Sequence, residues 1–130
     1  MMRTRYQNLR IYVLAEDLSD RIWLIVGRWK PFERNTVGIQ IVRAADSIGA
    51  NIAEGAGRSS NGDNRRFLRI ARGSLNETQH WLRRAFRRNL LSEQDIGDLK
   101  CLLDELAPKL NAYLRSIGKA SPPPDLLSSE

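Results

Sequence analysis

The chain has 130 residues, a single cysteine (Cys101) and a single histidine (His80), and 21 Lys and Arg against 15 Asp and Glu, for a net charge of +6. That length supports one domain with its own core, and one thiol excludes a disulfide framework and suits a reducing compartment. No apolar run approaches the roughly 20 residues a bilayer span needs, and the N-terminus lacks a signal-like apolar stretch, so a soluble cytoplasmic protein without membrane association is expected.

The first predicted helix runs from about Asn8 to Lys30. Ile11, Leu14/Ala15, Leu18, Ile22, Ile25 and Trp29 recur at helical spacing and form one apolar stripe. Pro31 ends it, because the residue before a proline is pushed out of helical geometry. Leu9, Tyr12 and Trp23 project roughly opposite the stripe, with Val13 and Leu24 nearby. Such a second apolar face marks a partner surface, most simply in a homo-oligomer; scattered surface apolar residues are the plain alternative.

The second helix is predicted from about Thr36 to Gly55, with Val37, Ile41, Ala44/Ala45, Ile48 and Ile52 inward, and it ends in the turn-rich stretch 55–62. Gln40, Arg43, Ser47, Asn51 and Glu54 share one face beside that stripe, at spacings of three and four. A ligand pocket is one reading of this line. A structural or assembly network is the favoured one, because half-buried polar groups need partners and such networks fix register. Glu77 of the next helix is an expected partner of Arg43.

The third helix is predicted from about Asp63 to Asn89, with Phe67, Ile70/Ala71, Ser74, Thr78, Trp81/Leu82 and Ala85 inward. Gly73-Ser74 is read as a place where a neighbouring backbone comes close. Between positions 65 and 88 lie Arg65, Arg66, Arg69, Arg72, Arg83, Arg84, Arg87 and Arg88 against one acid, Glu77. Arginine contacts phosphate with two parallel N–H groups and stacks on bases, so a polyanion surface is expected, with His80 beside it. The alternative is a solvated face partly paired with Glu93, Asp95, Asp98, Asp104 and Glu105 of the fourth helix.

That fourth helix opens at Ser92-Glu93-Gln94-Asp95, which resembles a capping box with Asp in the usual Glu place. Ile96, Leu99, Leu102/Leu103, Leu106, Leu110, Tyr113/Leu114 and Ile117 form its stripe, and Gly118 is its expected stop. Pro108 falls opposite the stripe, where it predicts a bend rather than a break. Residues 119–130, with three consecutive prolines, are expected to form a disordered tail. Four helices on short connections give an antiparallel up-down-up-down four-helix bundle over residues 1–118.

Two stretches resemble a known family. They are Arg43-Ala44-Ala45-Asp46-Ser47-Ile48-Gly49-Ala50-Asn51-Ile52-Ala53-Glu54-Gly55 and Ala71-Arg72-Gly73-Ser74-Leu75-Asn76-Glu77. Together they look like the four-helix-bundle proteins encoded within bacterial 23S rRNA intervening sequences, which are related to accessory proteins of diversity-generating retroelements. The resemblance extends over roughly residues 6–118. It implies a compact bundle that assembles into a ring, with a pentamer favoured, and it implies no established activity.

Catalytic chemistry is poorly supplied. One histidine and one cysteine make neither a zinc site nor a nucleophile–base pair, and no phosphate loop or dinucleotide fingerprint is present. Glu16, Glu54 and Glu77, and the lone Glu77-Thr78-Gln79-His80, fall short of a carboxylate metal centre. The expectation is therefore a non-enzymatic basic bundle without metal, cofactor or small-molecule substrate. Its expected partners are copies of itself and structured RNA or a ribonucleoprotein. A protein scaffold without nucleic-acid binding, such as an accessory to a reverse transcriptase, is the alternative.

Overall fold

The computed structural model describes residues 6–118 and 126–128. A short 3-10 turn, Tyr6–Asn8, leads into α1 (Arg10–Gly27). The second helical stretch opens with the turn Pro31–Glu33 and the π-helical segment Arg34–Gly38, then continues as α2 (Ile39–Ala56). It is followed by α3 (Asn61–Arg87) and α4 (Glu93–Ser116). Among the described residues no strand occurs; the one bridge joins Leu9 to Leu127.

Each helix packs on two neighbours, α1 on α2 and α4, and α3 on α2 and α4. Side-chain pairs give the directions. Arg10, at the start of α1, meets Glu105 late in α4, while Arg28, just past its end, meets Asp95 at the start of α4. Gly55 near the end of α2 lies against Asn64 and Phe67 early in α3, and Arg72 of α3 reaches Asn111 of α4. Adjacent helices are therefore antiparallel.

The apolar stripes of α1, α2 and α4 fall where their periodicity placed them. Ile11, Leu14, Leu18 and Ile22 meet Ile41, Ile48 and Ile52 and Leu106 and Leu110, all nearly free of solvent. Pro31 does end the first helix, but it also starts the second, because its missing N–H and fixed φ suit the first helical position. The second helix therefore begins five residues before Thr36. A Cβ at Gly38 would come within 2.7 Å of Val26 Cγ1, so glycine allows α1 to close on the π-helical segment.

The third helix is rotated from expectation. Its buried line is Leu68, Ala71, Leu75, Thr78, Leu82 and Ala85, whereas Ile70 is 44% exposed and Phe67, Ser74 and Trp81 are half-buried at the edge facing α2. Gly73 faces solvent, with nothing within 4 Å of an added Cβ, so it is not the site of close approach. Gly55 is: a Cβ there would meet Asn64 Oδ1 at 2.7 Å and Phe67 Cβ at 3.1 Å. Gly73→Ala is accordingly expected to raise stability by about 0.5–1 kcal/mol, the helix-propensity difference, as read by urea denaturation.

The helix ends are closed by local chemistry. Ser60 caps α3 by accepting from the Asp63 N–H. At its other end Asn89 takes φ +60°, the Leu90 N–H reaches Ala85 O at 3.0 Å and the Asn89 N–H reaches Phe86 O at 3.1 Å, a Schellman closure. The expected capping box of Ser92 and Asp95 is present in full. Gly118, at φ +95°, follows α4 as expected, and α4 runs through Pro108, whose side is exposed.

Part of the predicted tail is not disordered. Leu126 is 1% exposed within the core cluster, and Leu127 bridges to Leu9. A leucine pair after a proline run gives no periodic signal, so this contact was not legible. Residues 119–125 and 129–130 lie outside the described residues.

Among the described residues, the ion pairs between helices lie along the α1–α4 seam. Arg10 Nε and Nη2 donate to Glu105 Oε2 and Oε1, both at 2.8 Å, at a half-buried position. The Arg10 hydrogen bonds hold the Glu105 carboxyl below its ordinary value of 4.5, against an opposing push from burial, and the charges of Arg10 and Lys109 assist. A depressed carboxylate stabilises the fold above its unfolded pKa, and that contribution is lost as pH falls below about 4.5. Glu105→Gln should therefore cost roughly 0.5–1 kcal/mol at neutral pH, the upper range for a partly exposed pair, and nothing once both states are protonated in strong acid. Thermal melts of both proteins across the acid range check this.

Candidate nucleic-acid interface

The eight arginines of the third-helix segment do not meet the acids of α4. Four of those five acids have other partners, Asp95 with Arg28, Asp98 with Arg21 and Gln94, Asp104 with Lys100, and Glu105 with Arg10 and Lys109, while Glu93 makes no ion pair among the described residues. Asp95 serves twice, since Oδ2 accepts the Ser92 N–H of the capping box while Oδ1 accepts from Arg28. Asp95, Asp98 and Glu105 thus join α4 to Arg28, Arg21 and Arg10 on the α1 side, and among the described residues no α4 acid pairs with an α3 arginine.

Among the described residues, Arg66 is the one member of the eight in an ion pair, at 3.7 Å from Asp63. Arg65 and Arg72 donate to neutral oxygens, Ile117 O at 3.4 Å and Asn111 Oδ1 at 3.3 Å. These bonds orient the guanidinium groups without cancelling their charge. Arg69, Arg83, Arg87 and Arg88 are exposed and Arg84 is half-buried.

Helical geometry arranges them. At 100° per residue, Arg65, Arg69, Arg72, Arg83 and Arg87 fall within about 60° of one another, on the outer side towards α4. Arg66, Arg84 and Arg88 follow on the side towards α2. The first stripe runs about 33 Å from Arg65 to Arg87 at 1.5 Å per residue. Asn76 and Gln79 lie along it, and no acid interrupts it. Arg58, in the turn before α3, lies with Arg66 against the Phe67 ring, 4.8 and 4.5 Å from its centroid, and is also paired with Glu54.

The polar line of α2 separates into local pieces. Asn51 donates to Ser47 O and Oγ at 2.8 and 3.0 Å, and Ser74 Oγ lies 2.9 Å from Ser47 Oγ, across the α2–α3 contact. Glu54 pairs with Arg58 one turn on. Glu77 accepts from Trp81 Nε1 at 3.1 Å and forms no ion pair with Arg43, which is exposed on the side towards α1. The expected Arg43–Glu77 partnership is therefore absent; the two side chains belong to different faces. Gln40 is exposed at the opposite edge. Glu16 lines the α1–α2 groove, and among the described residues no group of three potential metal ligands occurs.

The expected contact surface on α1 is also divided. Leu9 is 5% exposed and belongs to the core, because it sits at the junction before α1, where helical angle counting does not apply. Tyr12 is half-buried and stacks edge-on with Tyr6 at 4.9 Å. Trp23 stands out at 66% exposure beside Leu24 at 60%. Trp23 also borders an apolar groove of about 330 Å³ with Val26, Gly38, Ile39 and Val42, rimmed by Arg34 and Arg43. Cys101 is exposed. No helix of the described residues is long and apolar enough to cross a membrane.

These features define an all-α four-helix bundle with one arginine-dominated helix. Residues 7–112 match the family described as 23S rRNA-intervening sequence protein, and the chain belongs to that family. The fold is shared with a crystal structure from Bacteroides thetaiotaomicron VPI-5482, described as a protein with unknown function from the S23 ribosomal protein family. That structure has a TM-score of 0.71 and 24% identity, over 81% of this chain and 98% of its own. Among curated proteins, none matches the sequence.

Proposed function

We propose that this protein is a non-catalytic, cytoplasmic RNA-binding module that works as a homo-oligomer, with a pentamer favoured, and grips the RNA backbone along α3. One observation carries the reading: among the described residues no α4 acid pairs with an α3 arginine, since Asp95, Asp98 and Glu105 pair with Arg28, Arg21 and Arg10, and Asp104 with Lys100. A lone run of basic residues is often a solvated, self-paired face, whereas this run keeps its charge for an external anion. Repetition of the stripe around an oligomer multiplies weak contacts into useful affinity. The absence of a base-reading motif favours recognition of backbone and shape over a defined sequence.

Ultraviolet crosslinking of the protein to a structured RNA, followed by mass spectrometry, tests the placement. Crosslinked peptides are expected from residues 58–88. Crosslinks confined to α1 or α4 would overturn it.

The exposed Trp23–Leu24 face and its apolar groove support the assembly part of the reading. They also favour the alternative of a protein scaffold, such as a reverse-transcriptase accessory, should the RNA experiments fail. Trp23→Glu is expected to reduce the mass measured by light scattering to that of a smaller species while helicity by circular dichroism is unchanged. An unaltered mass would remove Trp23 from the interface.

A further inference from the structure

Besides the stripe, α3 borders a pocket of about 570 Å³ at the end of the bundle where the π-helical segment meets the end of α3. Its walls come from Phe32, Val37, Trp81 and Leu90, and its polar lining from Glu33, Thr36, Gln40 and Arg88. The volume falls within the roughly 300–1,000 Å³ usual for small-molecule sites. Its composition is unlike that of the apolar groove beside Trp23: two aromatic side chains, an amide, a carboxylate and a guanidinium converge here.

Each group has chemistry to spare. Phe32 is 76% exposed, a large ring left in solvent. Trp81 donates its N–H to Glu77, which holds the indole and leaves its ring carbons as the lining. Thr36 is engaged with Phe32 O at 2.7 Å, which ties the π-helical turn together. The side chains of Gln40, Glu33 and Arg88 make no hydrogen bond or ion pair among the described residues, so an amide, an acceptor and a cation line the pocket. The π-helical turn supplies Thr36 and Val37, and such turns recur at functional sites because they displace side chains from the regular helical register.

We infer that this pocket receives an unpaired nucleobase of the RNA held on α3. The base stacks against Phe32 and Trp81, and Gln40 and Glu33 meet its polar edge. Arg88, with Arg84 one turn before it, takes the adjoining phosphate. Continuity of charge identifies the occupant: Arg84 and Arg88 lead from the outer stripe to the pocket mouth. Aromatic stacking next to a basic track is how single strands are held, because every base has a π face and only unpaired bases can leave the stack. The inference rests on the RNA reading and deepens it, by specifying RNA with single-stranded loops or bulges rather than continuous duplex.

The test compares a short labelled single-stranded RNA with the duplex of the same sequence, by anisotropy at one salt concentration. Wild type is expected to bind the single strand about tenfold or more tighter. Phe32→Ala, at a position too exposed to support the fold, should weaken single-strand binding by about tenfold, the scale of one lost stack, and leave duplex binding unchanged. Gln40→Ala should lower single-strand affinity in the same direction by a smaller factor. Equal affinity for both RNAs, or no response to Phe32→Ala, overturns the pocket while stripe-dependent binding still supports the RNA reading. Failure of wild type to bind either RNA overturns both.

Discussion

Leu68→Ala is expected to cost about 2–5 kcal/mol of unfolding free energy, the range for truncating a fully buried leucine, while Ile70→Ala stays within about 0.5 kcal/mol. The two residues are neighbours of similar size on one helix, so propensity and composition hardly distinguish them. Their environments do. Leu68 is 0% exposed within the core cluster, whereas Ile70 is 44% exposed. Removing Leu68 forfeits transfer energy and opens a cavity in a core cluster whose other members, Ile52 and Leu110 among them, are themselves fully buried. Paired urea melts check both variants. A larger loss at Ile70 would mean that α3 presents the face its sequence first suggested, and would swing the arginine stripe away from solvent.

The second large effect concerns binding. Replacing Arg65, Arg69, Arg83 and Arg87 with Ala should weaken RNA affinity roughly 100- to 1,000-fold at moderate salt, if each guanidinium meets one phosphate and contributes about 1 kcal/mol. Stability should change little, because Arg69, Arg83 and Arg87 are exposed and Arg65 contributes one long hydrogen bond to Ile117 O. Lysine at the same four positions separates charge from geometry: the positive charge remains, but not the paired N–H donors. Affinity between the wild-type and alanine values is expected. Circular dichroism confirms folding before anisotropy measures binding.

How much of this was legible in the sequence differs from helix to helix. In α1, α2 and α4 the core line is written largely in Ile and Leu at spacings of three and four, so the stripe is continuous along each helix. In α3 the core line alternates Leu with Ala and Thr, as Leu68-Ala71-Leu75-Thr78-Leu82-Ala85. Phe67, Ile70 and Trp81 lie off that line and are bulkier, and they pulled the reading round the helix. The rotation placed Gly73 inward and missed Leu75.

Partnerships between helices were the least legible. Spacing shows that Gln40, Arg43, Ser47, Asn51 and Glu54 share a face of α2, but not that α1 claims one edge of it and α3 the other. Likewise, composition shows acids on α4 and arginines on α3. That Asp95, Asp98 and Glu105 turn to the α1 side depends on the register set by Arg10, Arg21 and Arg28, each opposite a carboxylate across the antiparallel seam. The nucleobase pocket had no sequence signature at all, since Phe32, Gln40, Trp81 and Arg88 meet through the packing of α2 on α3.

The most direct test of the central claim is the salt dependence of structured-RNA binding, measured for wild type and the four-arginine alanine variant. Each phosphate contact contributes roughly 0.7–0.9 to the slope of log affinity against log salt. A steep wild-type slope that falls by about 3 in the variant is the predicted result. Equal slopes for the two proteins would contradict the claim, because the arginines of α3 would then release no counterions and the RNA would have to lie elsewhere.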